Sequence, residues 1–162
     1  MPEDRAQSAA RRELADRIAS LPGRLESFVA ALSAEQLTSR YLPEEWTLAQ
    51  NVHHLADAHM VLWLRVKLTL TEDRPTLMLY NQDRFAQLAE AAGAAIAPSL
   101  AIIRAVHERC LALLPSLSED DWRRVGVHPV RGEMTVEDMV RLWANHGDAH
   151  YAQMEKTLAA GK

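Results

Sequence analysis

The residues best suited to chemistry in this sequence are histidines. His146 and His150 lie four residues apart in the helix-forming stretch "RLWANHGDAHYAQM", so their rings project from one face of the helix, one turn apart. They continue the spacing of upstream apolar residues such as Trp143, which turns that face toward the interior. Two imidazoles in this arrangement can bind one divalent cation, and a third ligand must then come from another helix.

The stretch "HHLADAH" is the obvious source of that third ligand. It contains His53, His54 and His59, three of the 7 histidines in the chain. At 3.6 residues per turn, His59 falls within the apolar stripe of its helix, whereas His54 and His53 lie on its two flanks. Helix phase therefore favours His59 and leaves His54 open at the edge of a facing helix. Asp57 could orient an imidazole or a bound water, or be an exposed carboxylate.

The neighbouring residues carry weaker signals. His107 is predicted to be a partly buried helix residue, and His128 a loop residue before a proline. Trp46 is placed either as the first half of a hydrophobic staple or as a pocket wall. Its staple partner would be Asn51, which is polar.

Helices must position these side chains, because helical periodicity dominates the sequence and only 6 of the 162 residues are glycine. The first helical region runs from about residue 9 to 32. Pro22 predicts a break in it, with one helix ending near Ser20 and another beginning at Leu21 or Pro22.

The two helices that carry the histidine motifs have clear starts. Thr47 and Gln50 form a capping box, in which each side chain satisfies the other residue's free backbone N–H, and the helix is expected to reach about Thr71. Thr135 and Asp138 form a weaker version of the same box at the start of the last helix.

A further apolar stripe over about 98–115 predicts the remaining long helix, and "TEDRPTLMLYNQ" reads as a crossover. The stretch "RRVGVHPVRGEM" is predicted as a loop with extended pieces. Four long helices and one long crossover predict an all-α, four-helix bundle forming a single domain over 1–162. In such bundles, metal and cofactor sites are built from side chains on facing helices.

Composition limits the classes of function. The formal net charge is -4 with both signs interspersed, which argues against nucleic acid as a ligand. The single cysteine, Cys110, excludes an internal disulfide, fits a reducing compartment and is expected to be a buried apolar residue. No segment approaches the ~20 apolar residues needed to cross a bilayer, and no signal peptide is evident. A cytoplasmic protein with no membrane partner is expected.

Two blocks of the sequence resemble the YfiT-type branch of the DinB superfamily. The first is "YLPEEWTLAQNVHHLADAHM" with the following "RVKLTLTE", which is similar to a Tyr-x-Pro-x-x-Trp-Thr lead-in and a His-His-Leu-Ala-Asp-x-His-Met helix. The second is "HPVRGEMTVEDMVRLWANHGDAHYAQM", which is similar to a His-Pro-x-x-Gly-x-x-Thr loop and a His-Gly-x-x-His helix. The resemblance covers about residues 20 to 155.

The resemblance implies a four-helix bundle with a metal site of three histidines. The position that matches the family pattern, eight residues after the tryptophan, is His54, and the other two ligands map to His146 and His150. Proteins of this branch are similar to thiol S-transferases that use bacillithiol, with relatives that use mycothiol or glutathione, and older naming makes them metal-dependent hydrolases. A homodimer is also implied.

The sequence departs from the family pattern in two places. Ala149 and Gln153 occupy positions where the family often has histidine, and Glu44 and Glu45 replace a Gly-Gly turn before the tryptophan. The departures weaken the subfamily assignment more than the metal site, since glutamine occurs at the Gln153 position in the broader superfamily.

Three functions are compatible with these residues. In a thiol S-transferase, a divalent metal (Zn2+ by default, or Ni2+, Fe2+ or Mn2+) activates a low-molecular-weight thiol for attack on a small electrophile. Arg65, Lys67 and Arg131 are candidates to bind the thiol cosubstrate's carboxylates. In a metal-dependent hydrolase, Asp57 would act as a general base beside an activated water. In a non-catalytic module, the metal would only staple the bundle.

Overall fold

The computed structural model describes residues 2–161, with side chains from Arg5 onward. Over this range the chain is mostly helical. None of its helices combines the length and the apolar character that crossing a membrane requires. The elements in chain order are α1 (Pro2–Val29), α2 (Ala34–Thr38), α3 (Leu48–Thr71), α4 (Gln82–Phe85), α5 (Ala97–Leu113), α6 (Glu119–Arg123), β1 (Val125–His128), β2 (Gly132–Thr135) and α7 (Val136–Ala159).

Both predicted capping boxes are confirmed. The Thr47 side chain accepts a hydrogen bond from the Gln50 backbone N–H, and the Gln50 side chain accepts one from the Thr47 backbone, at 3.2 and 3.0 Å. Thr135 and Asp138 make the same reciprocal pair at the start of α7. Each box satisfies backbone donors that have no partner within the helix, so the sequence alone determines where α3 and α7 begin.

The break predicted at Pro22 is wrong, because α1 runs through it without interruption. Proline has no N–H, so the carbonyl four residues earlier, at Ile18, loses its usual helical donor. In this protein that carbonyl accepts a hydrogen bond from His107 Nδ1 of α5 at 2.7 Å. The tertiary contact replaces the missing helical bond and removes part of the reason for the helix to end.

The four long helices α1, α3, α5 and α7 form a bundle with two apolar clusters. One cluster contains the early part of α1 and α7 with the late part of α3 and α5, and the other contains the opposite halves. It follows that α1 and α7 run in one direction and α3 and α5 in the other. Because α3 and α5 are parallel, the segment between them must cross the length of the bundle, as predicted.

A layer of histidines separates the two apolar clusters. Along α3, residues 48–56 belong to one cluster and Leu62 and Val66 to the other, with His59 between them. Along α7, Ala144 and Met154 belong to different clusters and enclose both predicted ligands. The bundle therefore has an imidazole-rich layer across its middle, and Cys110 is buried on one side of it, as expected.

The crossover is attached to the hairpin that precedes α7. The stretch predicted as a loop with extended pieces forms β1 and β2, which are antiparallel, and Gly132, the first residue of β2, has φ +79. The Leu77 N–H donates to the Val127 carbonyl at 2.9 Å, and the Val127 N–H donates to the Pro75 carbonyl at 2.8 Å. This pairing places the crossover and the hairpin side by side next to α3.

Candidate metal centre

His54 enters the histidine layer from the first half of α3. It is 4% exposed, and the two flanking apolar residues Val52 and Leu55 are fully buried. Trp46, just before the capping box, packs its ring against His54 with the ring centroids 4.7 Å apart. It also stacks on His150 at 6.1 Å. Of the two roles considered for Trp46, the structure thus shows a wall of the histidine site.

His146 and His150 enter the same layer from α7. Their ring centroids are 4.5 Å apart, as expected for two rings one helical turn apart on one face. The helix can approach α1 closely here because residue 147 is glycine. A Cβ at Gly147 would lie 2.5 Å from Leu21 Cδ2, which is closer than side-chain atoms can pack. The small residue next to His146 therefore lets α7 lie close to α1 at the histidine layer.

The structure brings His54, His146 and His150 together. One ring nitrogen from each lies within 4.8 Å of the other two, and the His54 and His146 Nε2 atoms are 3.1 Å apart. Two nitrogen ligands of a tetrahedral zinc ion lie about 3.3 Å apart, given Zn–N bonds of about 2.0 to 2.1 Å. The spacing of the three rings therefore fits a single divalent cation. We refer to these residues as the three-histidine cluster.

Burial keeps the cluster uncharged at neutral pH. Burial is the largest cause, the neighbouring imidazoles of the cluster add to it, and the pKa of His54 and of His146 is lowered to about 3. Burial also lowers the pKa of His150 to about 4. Metal binding requires the neutral form of imidazole, so the fold presents three nitrogen ligands that need not lose a proton first.

A short chain of hydrogen bonds orients His150. Its Nδ1 lies 2.8 Å from Asn51 Oδ1, and the Asn51 amide nitrogen donates to the Thr47 carbonyl at 3.0 Å. Since the amide nitrogen faces a carbonyl, the amide oxygen must face His150 and accept the proton of Nδ1. His150 Nε2 is then left unprotonated for the cluster. Asn51, at the staple position opposite Trp46, thus supports a ligand instead of packing against the indole.

A cavity of about 310 Å³ opens beside His146, between α3, the crossover and the hairpin. Besides His146, its polar lining comes from Arg65, Tyr80, Gln82, His128 and Arg131. Burial lowers the pKa of Arg65 and raises that of Tyr80 to about 12, so the phenol is neutral at pH 7. Arg65 also donates to the Met78 carbonyl at 3.1 Å, which fixes its guanidinium group against the crossover. The cavity therefore has two arginines and one residue of the three-histidine cluster in its lining.

His128 is a lining residue that the sequence reasoning did not identify. Its Nδ1 accepts hydrogen bonds from the backbone N–H groups of Val130 and Arg131, at 3.2 and 3.1 Å. The proton of the neutral ring must therefore be on Nε2, which makes it a hydrogen-bond donor. The signal in the sequence is weak, since only the His-Pro-x-x-Gly turn marks a hairpin that folds back over its own histidine.

The comparisons with known proteins agree with this geometry. The family model for the DinB superfamily matches residues 9–154. The chain belongs to the DinB superfamily. A Geobacillus kaustophilus protein named "Putative metal-dependent hydrolase" is 42% identical over 139 residues, which are 85% of this chain and 78% of that protein. A protein of the same name from Oceanobacillus iheyensis is 36% identical over 142 residues, which are 88% of this chain and 82% of its own length.

A solved structure shows the same fold. It is that of YfiT from Bacillus subtilis, described as "a probable metal-dependent hydrolase with an unusual four-helix bundle topology". The two chains superpose with a TM-score of 0.86 at 31% identity, covering 90% of this chain and 84% of YfiT. The predicted four-helix bundle with a crossover is thereby confirmed.

Two of the four residues that depart from the DinB pattern meet beside His150. Gln153, one turn after His150, donates its amide to the Glu45 carboxylate, and Lys156 Nζ lies 3.2 Å from the same carboxylate. Glu45 thus occupies a position just before Trp46 and links the lead-in of α3 to the last turns of α7. In this DinB protein a hydrogen-bonded glutamine and glutamate stand at positions where the family pattern has histidine and glycine.

Two predicted residues are not brought to the cavity or the cluster. Lys67 is exposed, and its ammonium group lies over the Trp63 ring at 5.5 Å. Residues two apart on a helix point to nearly opposite sides, so Arg65 and Lys67 cannot share one pocket. Asp57 is half-buried, and burial followed by the charge of Glu90 raises its pKa. None of the hydrogen bonds described for residues 2–161 joins Asp57 to the three-histidine cluster.

The remaining histidines have structural partners inside the bundle. His53 bonds Ser99 Oγ at 2.8 Å and the Gly93 carbonyl at 3.1 Å, and so ties α3 to the segment leading into α5. His59, which helix phase favoured as a ligand, lies 2.8 Å from His107 and is fully buried. His107 is 1% exposed, so the expectation of partial burial is wrong.

Proposed function

We propose that His54, His146 and His150 bind one divalent cation and that the protein is a metal-dependent thiol S-transferase. The observation that carries this proposal is that His146 of the cluster lines a cavity that is also lined by Arg65 and Arg131. Three neutral nitrogen ligands leave coordination positions open, which is typical of catalytic sites and not of closed structural sites. Zn2+ is the default occupant, and Ni2+, Fe2+ or Mn2+ also suit imidazole ligands.

A cation held in this way supplies Lewis acidity, which lowers the pKa of a thiol that reaches it. The protein's own residues would bind and orient that thiol. Arg65 and Arg131 favour an anionic cosubstrate, since guanidinium groups bind carboxylates through paired hydrogen bonds. The Nε2–H of His128 and the neutral phenol of Tyr80 would add uncharged donors. Lys67 has no part in this proposal, because it lies outside the cavity.

The proposed reaction is a substitution and needs no oxidant or reductant. The thiol sulfur forms a bond to the electrophilic carbon of a small molecule, and the bond from that carbon to its leaving group breaks. The thiol proton is released to solvent or to the leaving group. Leu62, a buried wall of the cavity, and the Trp46 ring packed on His54 would limit the access of water to the sulfur, which favours transfer over hydrolysis.

Metal analysis of freshly purified protein, followed by thiol titration of the Co2+-substituted form, tests this proposal. Bacillithiol and glutathione, which carry carboxylates, are compared with 2-mercaptoethanol, which carries none. We expect one metal per chain and a new sulfur-to-cobalt absorption band that appears at lower concentration of the carboxylate-bearing thiols. Protein that binds metal but shows no spectral change with any thiol would contradict the transferase.

A metal-dependent hydrolase is the second candidate, and the names of the relatives favour it. This reaction needs a base near a metal-activated water, and Asp57 is the predicted residue. An ester and amide screen with the wild-type protein and Asp57→Asn, the isosteric variant, decides between the two. Hydrolysis that falls at least 100-fold in Asp57→Asn would support the hydrolase.

The predicted non-catalytic role has its own signature. A chelator would then lower the melting temperature strongly, while neither thiols nor esters would react or change the metal spectrum. The predicted homodimer is tested separately by light scattering of the eluted protein, which reports its mass independently of shape.

A further inference from the structure

A chain of hydrogen bonds leads from His146 into the core of the bundle. His146 Nδ1 lies 3.4 Å from His59 Nε2, and His59 Nδ1 lies 2.8 Å from His107 Nε2. His107 Nδ1 lies 2.7 Å from the Ile18 carbonyl oxygen. The chain thus connects α7, α3, α5 and α1 in turn, through two histidines that are at most 1% exposed.

The inner end of the chain determines where each proton is. A carbonyl can only accept, so His107 Nδ1 must carry a proton and donate it to Ile18. The indole N–H of Trp143 donates to His107 Nε2 at 3.1 Å, which identifies that nitrogen as the acceptor. Burial also lowers the pKa of His107 to about 4, in keeping with a neutral ring.

The proton positions then follow outward. Because His107 Nε2 accepts, His59 Nδ1 must be the donor across the 2.8 Å contact. The other nitrogen of a neutral His59, Nε2, has a free lone pair and must accept from His146 Nδ1. His146 is then left with an unprotonated Nε2, the atom that lies 3.1 Å from His54 Nε2 in the three-histidine cluster.

Pro22 explains why the chain has a place to end. A backbone carbonyl inside a helix is normally occupied by the N–H four residues later, but residue 22 has no N–H to give to Ile18. The Ile18 carbonyl is therefore free to accept a hydrogen bond from outside its own helix, and His107 Nδ1 donates that bond. Pro22, which was predicted to break the helix, thus frees the carbonyl at which this chain of hydrogen bonds ends.

We propose that His59 and His107 are positioning residues, which hold His146 in the Nδ1–H form with its Nε2 lone pair directed at the cation. His150 is held in the same form by the shorter Asn51–Thr47 chain. Both chains end at a backbone carbonyl, which cannot change its role with pH. The inference rests on the proposed metal centre and is independent of which reaction occurs there.

The test uses two variants of the full-length protein at each of the positions His59 and His107. His59→Leu and His107→Leu keep a side chain of similar size but remove every polar atom. His59→Gln and His107→Gln keep one donor and one acceptor and should restore the chain in part. His53→Leu is the matched control, because His53 is also a buried, hydrogen-bonded histidine of α3 but contacts Ser99 and Gly93 instead of the cluster.

Two readouts are needed, neither of which is enzyme activity. The Co2+ and Zn2+ dissociation constants should rise roughly 10- to 100-fold in the leucine variants, in line with the loss of a supporting hydrogen bond to a ligand. They should recover most of that loss in the glutamine variants and stay unchanged in His53→Leu. Nitrogen NMR of the metal-free wild type should show the proton of His146, His59 and His107 on Nδ1.

Wild-type affinity in both leucine variants would overturn the inference, and so would a proton on Nε2 of His146 in the metal-free protein. An equal loss of affinity in His53→Leu would assign the effect to general destabilisation and also overturn it. If the wild-type protein binds no metal, the metal centre itself fails. The NMR measurement on metal-free protein still decides the hydrogen-bond chain in that case.

Discussion

Two groups of histidines in the middle of the bundle look alike but differ in how their nitrogens are used. In the three-histidine cluster, His54 and His146 approach to 3.1 Å through their Nε2 atoms. In the buried pair, His59 and His107 approach to 2.8 Å. Trp143 and the Ile18 carbonyl bond both nitrogens of His107, so the buried pair is complete without a ligand.

The difference teaches that proximity alone does not make a metal site. The Nδ1 atoms of His146 and His150 bond protein acceptors, and this directs their Nε2 atoms toward the same point. In the buried pair, the Nε2 atoms of His59 and His107 accept hydrogen bonds from N–H groups of neighbouring side chains. A cation is therefore expected at the cluster and excluded from the pair, although the imidazoles of both groups are neutral.

The largest effect should come from removing ligands on the cluster side. The double variant His54→Ala, His146→Ala should bind no stoichiometric metal, a loss of more than about 100-fold that exceeds the cost of losing a supporting bond. His107→Leu should still bind one metal per chain at millimolar concentration. Metal content after dialysis, with folding checked by circular dichroism, measures both. Full metal binding by the double variant would show that the three-histidine cluster is not the metal site.

The histidines of both groups should make the stability of the metal-free protein depend on pH, and His107 gives the contribution of the buried pair. The pKa of His107 falls from 6.5 to about 4 on folding because of burial. The unfolded chain therefore binds more protons in that interval, and the free energy of unfolding should fall as the pH is lowered from 6.5 to about 4. For this one group the loss is about 3 kcal/mol, at 1.36 kcal/mol per pKa unit.

Urea unfolding across this pH range, with chelator present, measures the effect. His107→Gln is the control, because glutamine keeps hydrogen-bonding groups but does not titrate. Its stability should fall less steeply than that of the wild type. Parallel curves for the two proteins would show that His107 is not buried in the neutral form.

A smaller effect is expected at the cavity beside the cluster. Arg131→Met should raise the KM for a carboxylate-bearing thiol about 10-fold or more, since a hydrogen bond to a charged group contributes about 1.5 to 3 kcal/mol. Lys67→Met is the matched control and should change the KM less than twofold, because Lys67 lies over Trp63 instead. Equal KM values for Arg131→Met and the wild type would show that Arg131 does not bind the carboxylate of the thiol.

The smallest effect should come from the helix caps. Thr47→Ala and Thr135→Ala should each lower the free energy of unfolding by about 1 kcal/mol, the usual cost of losing such a cap. Neither should change metal stoichiometry, because Asn51 bonds the backbone carbonyl of Thr47 and not its side chain. Thermal and urea unfolding with metal analysis check both statements. Loss of metal from Thr47→Ala alone would show that His150 depends on the cap itself.

Much of the fold could be predicted because the information was local. The capping boxes at Thr47 and Thr135 involve residues three apart, so their effect does not depend on the rest of the chain. The crossover also followed from the pattern of the long helices. Pro22 was misread because its consequence is not local: the Ile18 carbonyl that it leaves free is bonded from a different helix.

The candidate site was harder to predict from helix phase. Phase ranked His59 above His54 on the assumption that α3 has one inward face. The helix is instead buried around most of its circumference, and His54 and His59 are 4% and 0% exposed. The stripe therefore cannot tell them apart, and the choice of His54 depended on the family resemblance. The sequence could not tell whether Arg65 or Lys67 lines the cavity. The position of the crossover decides it, because the cavity lies on the side of α3 that carries Arg65.

The sequence by itself determined the ends of α3 and α7 and the common face of His146 and His150, since these follow from hydrogen bonds and spacing within one helix. Helix periodicity could not decide which histidine of α3 meets that pair: the family resemblance implied His54, and the tertiary structure brings His54 to the pair and joins His59 to His107. The tertiary structure also decided that a hairpin histidine, His128, lines the cavity. The reason is physical: a nitrogen's role depends on the donor or acceptor that faces it, and those partners come from other helices.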